Sequence, residues 1–369
     1  MPDTFQIGDW VSDFSLPSAA GKQVKLSDTV GVPVVVLFLG QDSTAARAAC
    51  DGFAAQIEKF KSLKTPVLAI RRGGAVGSDL LGGGDAPAQT PTVDWPGLAE
   101  LPFPVLSDMD GAVAARYGVD GLRAALIHPN ARVFRYYDPS DNGTLAAKVL
   151  EDARAIAELE PPRQILQQAP ILLIPDVLPP DFCKKLIQTW ESEGNQDSGF
   201  MVDKDGKTVG QYDYSAKIRR DHFINNASPL HAEARNWVVR RIVREVYKAF
   251  SFEATRLEDM KIACYDAARG GYFRPHRDNT TGATAHRRFA VSMLLNDEYE
   301  GGFLRFPEYG PHTYRPPAGG AVVFGCSLLH EATDVTAGRR FVLLTFLYGE
   351  KEAKVREDYA KRTGTGYRA

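Results

Sequence analysis

The sequence predicts two domains, an α/β sandwich followed by a β-rich barrel or sandwich with flanking helices. Three observations lead there. The chain has 369 residues, well beyond the roughly 150 of an ordinary domain. In its first part, apolar runs suited to buried strands alternate with segments of helical spacing, the pattern of an α/β layer structure. In its later part, short apolar segments recur between Gly, Pro and Asn turns, as in a barrel or sandwich. Between them, the acidic, helix-prone stretch Leu145 to Glu160 gives way to Pro161-Pro162 and a fresh apolar run, ILLIPDVL. That reads as a helix end, a stiff joint and a new strand. The boundary is set at 161, giving domains 1–160 and 161–369.

Composition narrows the class. Hydrophobic residues make up 44% and charged residues 24%, which excludes wholesale disorder and a fibrous repeat. The net charge of −2 is unevenly divided: residues 1–160 hold 14 basic and 20 acidic groups, residues 161–369 hold 30 and 26. The later part is the better host for an anion, yet the excess is small and carries no aromatic-basic motif, so no nucleic-acid partner is expected. Cys50, Cys183, Cys264 and Cys326 are widely spaced with no CxxC pair, which argues for a reducing compartment, the cytoplasm, and against a Cys-rich zinc site. No basic-then-apolar leader opens the sequence and no apolar run approaches a membrane span, so neither secretion nor membrane insertion is expected. Nothing in the sequence bears on oligomeric state.

In the first domain, Val34 to Leu39 (VVVLFL) reads as a buried strand, Thr44 to Leu63 as a helix with Ala48, Phe53, Ile57 and Phe60 on one face, and Val67 to Ile70 as the next strand. Val105 to Leu106, Ala124 to Ile127 and Val133 to Tyr136 supply further strands before the closing helix, and Gly73 to Pro96 reads as a long surface loop. The segments GDWVSDFSLPSAAGKQVKLSD, VVVLFLG, FPVLSDMDGAVAARYGV and ALIHPNARVF together resemble the peroxiredoxin (AhpC/TSA-type) branch of the thioredoxin fold, over about the first 155 residues. Such a protein needs a low-pKa cysteine in the first turn of the helix after the first strand. Here that turn reads QDSTAARAAC. Matching Cys50 to the second cysteine of the bacterioferritin-comigratory pattern puts Ala45 where the nucleophile belongs. Cys50 is expected to be a half-buried, unreactive thiol, and the domain a scaffold, docking surface or remnant.

In the second domain, Lys261 to Tyr265 is followed by GGYFRPHRD (Gly270 to Asp278) and the strand-like RFAVSMLL (Arg288 to Leu295). Strand alternation would point His276 and Asp278 the same way. His330 follows Asp278 by 52 residues and completes two histidines and a carboxylate, a set that suits ferrous iron with open positions. Ten residues later, Arg340 opens the apolar strand RFVLLTFLY. A lone guanidinium entering such a core needs a carboxylate partner. Alternation sends its neighbour Arg339 to the other face.

The block from HRDN through RRFAVSMLLND, YEGGFLRFP and AVVFGCSLLHEATDVTAGRRF resembles the Fe(II)- and 2-oxoglutarate-dependent dioxygenases of the prolyl 4-hydroxylase-like branch, over about residues 169–349. The resemblance implies a double-stranded β-helix (jelly roll), His276, Asp278 and His330 as iron ligands, Arg340 on the distal carboxylate of 2-oxoglutarate, and Tyr265 lining the cosubstrate pocket. It implies Fe(II), 2-oxoglutarate and O₂ as cofactor and cosubstrates, with L-ascorbate as a further candidate, and release of succinate and CO₂ as a prolyl or other peptidyl residue or a small metabolite is hydroxylated. Leu294 stands where some members carry a second tyrosine against the distal carboxylate. Asp278 argues against halogenation, which in such sites replaces the carboxylate with a small residue. The alternatives left open are a non-catalytic iron and 2-oxoglutarate sensor and a thiol peroxidase using Cys50. His286 and His312 are expected to be solvated and Gly301-Gly302 to make a turn; Arg219, Arg220 and His222 read first as an exposed charged face, with Arg219 and Arg220 at the mouth of the site against an anionic substrate as the alternative. Substrate contacts are expected in loops, Ser198 to Asp213 and Asn279 to Arg287.

Overall fold

The computed structural model describes residues 4–73, 97–139, 145–159 and 164–364. The expected loop at 74–96 and the Pro161-Pro162 joint lie outside the described residues. The chain divides into two compact units, Met1–Arg163 and Gln164–Ala369.

The first unit is built on a five-stranded sheet in the order Val105–Asp108, Val67–Arg72, Val34–Leu39, Leu122–Ile127, Val133–Tyr137. The first two pairings are parallel and the last two antiparallel. Every residue of Val34–Leu39 is buried, because the strand is central and covered on both faces. Val35, Leu37 and Leu39 pack with Phe53, Val149 and Leu150, while Val34, Val36 and Phe38 face Tyr117 and Leu106. The single helix expected over Thr44 to Leu63 is two, Ser43–Ala54 and Ile57–Ser62. Gln56 leaves helical geometry between them, and Phe53 and Phe60 stack across the break with centroids 5.6 Å apart.

The N-terminus of Ser43–Ala54 is occupied. The Asp42 carboxylate accepts hydrogen bonds from the N–H groups of Thr44 and Ala45 at 2.9 and 3.0 Å, taking the donors that would otherwise stabilise an anion there. Cys50 lies further along the helix and is fully buried, not half-buried as expected. Burial, with Asp51 beside it, pushes its thiol up to about 12.

The second unit carries two main antiparallel sheets and a separate two-stranded hairpin. The larger runs Ile171–Ile174, Ala321–Gly325, Phe289–Leu294, Val335–Tyr348, Lys261–Asp266, Arg220–Phe223, Gln196–Asp197. The smaller runs Lys217–Ile218, Tyr272–His276, His330–Ala332, Leu304–Arg305, Thr313–Tyr314. The helices Pro180–Ser192 and Pro229–Val238 each begin with proline, whose missing N–H costs nothing in a first turn. Their Phe182, Leu186, Ala234 and Val238 join the core beneath the larger sheet with Ile262, Val291 and Leu343. Residues expected as a loop near Ser198 form a hairpin, Phe200–Lys204 paired with Lys207–Gln211. No helix among the described residues is long and apolar enough to cross a membrane.

All four cysteines are free and buried. Burial also pushes Cys183 and Cys264 up to about 12 and Cys326 well above its ordinary value. A native chain mixed with a disulfide reagent at pH 7 is therefore expected to release thiols only as it unfolds, and Cys50→Ser to leave peroxide consumption at the unsubstituted rate. A fast-reacting native thiol, or loss of peroxide consumption in that variant, would contradict this account.

Candidate active site

His276 ends one strand of the smaller sheet, His330 opens its neighbour, and the two are register partners. Asp278 is not in the strand. It lies in the turn just beyond, where its N–H donates to the Cys326 carbonyl at 2.9 Å. The turn, rather than alternation along a strand, sets the carboxylate beside both imidazoles: His276 Nε2 is 3.6 Å from Asp278 Oδ1 and His330 Nε2 is 3.4 Å from Oδ2. The three ligand atoms lie within 4.8 Å of one another.

Each imidazole is oriented by its other nitrogen. His276 Nδ1 donates to the Arg274 carbonyl at 2.8 Å and His330 Nδ1 to the Leu328 carbonyl at 3.0 Å. With Nδ1 protonated, the neutral ring presents its lone pair at Nε2, the arrangement metal-ligating histidines adopt. Phe273 stacks on His276 and Phe324 packs on His330, with centroids 3.4 and 4.5 Å apart. Burial pushes His330 down to about 4, despite the opposing pull of Asp278, so the ring is neutral near pH 7. Burial opposes ionisation of Asp278, but the neighbouring imidazoles and Arg287 outweigh it and hold the carboxyl below the usual range. A neutral imidazole at His330 and an ionised carboxylate at Asp278 are protonation states that suit a divalent cation.

These residues open on a cavity of about 690 Å³ that Arg340 and Tyr265 also line. Arg340 and Tyr265 are register partners in the larger sheet. Arg340 is 5% exposed, its Nε finds no acceptor, and it has no ion pair among the described residues. Its guanidinium lies 5.2 Å from the Tyr265 ring centroid. Leu294, Ser292 and Tyr299 line the recess around Arg340. Arg339 points elsewhere and pairs with Glu191 at 2.8 Å. A buried cation without a counterion is costly, so the recess suits a carboxylate guest, and the triad suits a divalent metal.

Comparison with known proteins agrees with this chemistry. The AhpC/TSA family model matches residues 7–136, and the 2OG-Fe(II) oxygenase superfamily model matches residues 260–348. The chain is an AhpC/TSA domain fused to a 2OG-Fe(II) oxygenase domain. A PKHD-type hydroxylase of Paracoccus denitrificans (strain Pd 1222) is 29% identical over 201 residues, covering 52% of this chain and 82% of the relative. A PKHD-type hydroxylase of Stenotrophomonas maltophilia (strain R551-3) is 28% identical over 200 residues, with the same coverage. Among solved structures, a Pseudomonas putida prolyl-4-hydroxylase is 16% identical with a TM-score of 0.38, covering 49% of this chain and 93% of that one. The oxygenase domain is an enzyme of the Fe(II)- and 2-oxoglutarate-dependent dioxygenases, using O₂ as the second cosubstrate.

Several side chains of the oxygenase domain depart from the sequence expectation. His286 is 2% exposed, not solvated, and its Nε2 lies 2.8 Å from Glu258 Oε1; its polar loop folds inward over that carboxylate. His312 is exposed. Arg219 is buried and lines the cavity, because Asp221 two residues on turns its charge inward through a bidentate pair at 2.7 Å. His222 instead rests on the Gly194 carbonyl at 2.7 Å. Lys217 and Lys261 also line the cavity. Sequence reasoning passed over both, since a lysine is ordinarily a surface residue and only the inward partner Asp221 hinted otherwise.

The pair Gly301-Gly302 makes a turn, with φ of 71° and 62°, and also a close approach. A Cβ on Gly302 would lie 2.9 Å from Arg340 Cδ and 2.7 Å from Val335 Cγ2. Gly302→Ala is expected to shift Arg340 and weaken 2-oxoglutarate binding by about tenfold, the loss of roughly 1.4 kcal/mol, measured by anaerobic titration of the Fe(II) protein; unchanged affinity would separate this glycine from the recess.

The Glu258 carboxyl is opposed by burial but held down to about 2 by Arg287 and His286. A depressed carboxyl stabilises the fold above its unfolded value near 4.5 and loses that contribution as pH falls toward 2. The stability difference between the unsubstituted chain and Glu258→Gln, read by urea unfolding, is expected to be full above pH 4.5 and to shrink steadily below it. A constant difference down to pH 2 would argue against the assignment.

Proposed function

We propose that His276, Asp278 and His330 hold Fe(II), that Arg340 seats the distal carboxylate of 2-oxoglutarate, and that Tyr265 walls the cosubstrate pocket. The observation that carries this reading is the pairing of a compact His/Asp/His cluster with a buried, uncompensated guanidinium in one cavity. When bound there, iron with 2-oxoglutarate and O₂ supplies the oxidation, giving succinate, CO₂ and a hydroxylated substrate. The chain's own residues bind and orient. The carbonyls of Arg274 and Leu328 fix the two imidazoles, Tyr265 and Leu294 bound the space beside Arg340, and the buried walls exclude water.

The two sheets of the oxygenase domain are read as a double-stranded β-helix, with the triad on the smaller sheet and Arg340 on the larger. Domains at 1–160 and 161–369 follow from this reading. The substrate is a prolyl or other peptidyl residue or a small metabolite, acted on in the cytoplasm, with no nucleic acid or membrane involved. The hydroxylase names of the curated relatives support hydroxylation as the outcome. L-ascorbate fits as an accessory reductant. The AhpC/TSA domain serves as a scaffold or docking surface, since its buried Cys50 lacks a thiolate's setting.

Asp278→Ala is expected to abolish iron-dependent succinate release. Arg340→Ala is expected to weaken 2-oxoglutarate use by about 2 to 5 kcal/mol, the cost of removing one partner of a buried charge pair. Both are read by succinate formation over a range of 2-oxoglutarate concentrations, and normal turnover in either variant would refute the residue assignment.

A further inference from the structure

The cavity holds a second cationic wall that neither the metal nor the cosubstrate uses. Lys217 is 5% exposed and Arg219 7% exposed, and both line the cavity with Lys261. Against these three cations one buried carboxylate, Asp221, is directly paired; Asp278 of the triad also acts on Lys217, and Glu258, already paired with Arg287, acts on Lys261. Arg219 takes both oxygens of Asp221 at 2.7 Å, and Lys261 Nζ reaches only to 3.6 Å of it. Lys217 Nζ donates to Ser198 Oγ and the Gly199 carbonyl, both at 2.7 Å, and neither acceptor carries a charge.

Other charged groups around the cavity are matched locally. Arg274 pairs with Asp334, Arg277 with Glu308 and Arg287 with Glu258. Asp197 faces Arg220 and Arg269, and Asp259 accepts from Asn226. The Lys217 wall is the part left with more positive than negative charge.

Its position relates it to the reacting centre. Lys217 Nζ lies 4.7 Å from the Phe273 ring centroid, and that ring stacks on His276 at 3.4 Å. Arg219 donates to the Tyr265 hydroxyl at 3.2 Å, and the strand of Tyr265 lies in the larger sheet between the strand that Arg220 opens and that of Arg340. The wall therefore borders the cavity on the side of Tyr265 away from Arg340, leaving the recess of Arg340 to 2-oxoglutarate.

Buried cations in excess of their acids either give up a proton or are joined by an anion. Burial, together with Arg219 and Lys261, holds the Lys217 ammonium well below its ordinary value against the pull of Asp221 and Asp278, so an anion docked beside it favours its charged form.

We infer that the substrate of this site is a small organic anion whose carboxylate or phosphate group docks against Lys217 and Lys261, while the carbon to be hydroxylated faces the triad. The inference rests on the oxygenase reading above and names its substrate class. A cavity of about 690 Å³ is of the size that encloses small molecules, and the charged wall fixes which end of the molecule enters first.

The test uses the full chain with Zn(II), as a redox-inert metal, and saturating 2-oxoglutarate, so that the Arg340 recess is filled. Saturation-transfer NMR is recorded with three matched series: short-chain carboxylic acids, their primary amides, and phosphate monoesters of the corresponding alcohols. Binding by the acids or the monoesters, but not the amides, is expected, and the series that binds identifies the anion. Lys261→Met, on a partly exposed side chain, and Lys217→Met are each expected to weaken that binding by about tenfold or more while 2-oxoglutarate affinity changes by less than about twofold. Lys217→Arg, which keeps the charge, is expected to restore part of it. Amides binding as well as the anions, no series binding to the unsubstituted chain, or anion binding that survives Lys261→Met would overturn the inference. Failure of 2-oxoglutarate itself to bind would instead remove the oxygenase reading, and this inference with it.

Discussion

The register pairing of His276 with His330 is the constraint on which the site depends. It places two imidazoles side by side at the same end of adjacent strands, one leaving the sheet and one entering it. Because each strand has a fixed exit there, the carbonyls two residues earlier, of Arg274 and Leu328, reach the two Nδ1 atoms. Asp278 can then be delivered by a short turn. Arg277, between the first two members of the triad, is bound to Glu308 and to the Ser327 carbonyl, and Glu308 accepts the Leu329 N–H at 3.1 Å. One carboxylate thus ties the segment carrying His276 and Asp278 to the segment carrying His330. A one-residue slip in the pairing would turn one imidazole to the opposite face and undo all of these contacts together.

Buried charge organises the remainder of the cavity. Glu258 joins Arg287 and His286, and Asp221 joins Arg219 and Lys261, so most buried ions carry a counterion within the domain. Removing one member would strand another in a medium of low polarity, which costs more than an exposed pair contributes. Among the described residues lining the cavity, Arg340, with its Nε unpartnered, and Lys217, bonded only to uncharged acceptors, are exceptions. An unmatched guanidinium in the cavity that His276, Asp278 and His330 also line is the feature on which the proposed seat for a dicarboxylate rests.

Much of the site was legible in the sequence because its residue types are improbable in a core. His276, Asp278, His330 and Arg340 are polar groups set among apolar strands, and only shared chemistry makes their burial tolerable. The strand carrying Val34 to Leu39 was legible for the opposite reason: six apolar residues in a row fit a central strand covered on both faces. The inward lysines were not legible. Nothing local distinguishes Lys217 or Lys261 from a solvated lysine, and their burial comes from pairing between strands distant in sequence. His286 was misread for the same reason, since its polar neighbours signalled a loop but not that the loop folds over Glu258. The break at Gln56 was missed because the apolar spacing continues across it, so periodicity reports one helix where the backbone makes two.

The same electrostatic logic applies at the start of the helix Ser43–Ala54 in the AhpC/TSA domain. A helix N-terminus presents unsatisfied N–H groups and favours a negative charge. A thiolate in the first turn would meet that demand and become reactive in doing so. Here the Asp42 carboxylate just outside the helix accepts from its first N–H groups, Ala45 fills the turn, and Cys50 is withdrawn into the apolar layer beneath the sheet, where burial favours the neutral thiol. The stabilisation that would have activated sulfur is spent on capping.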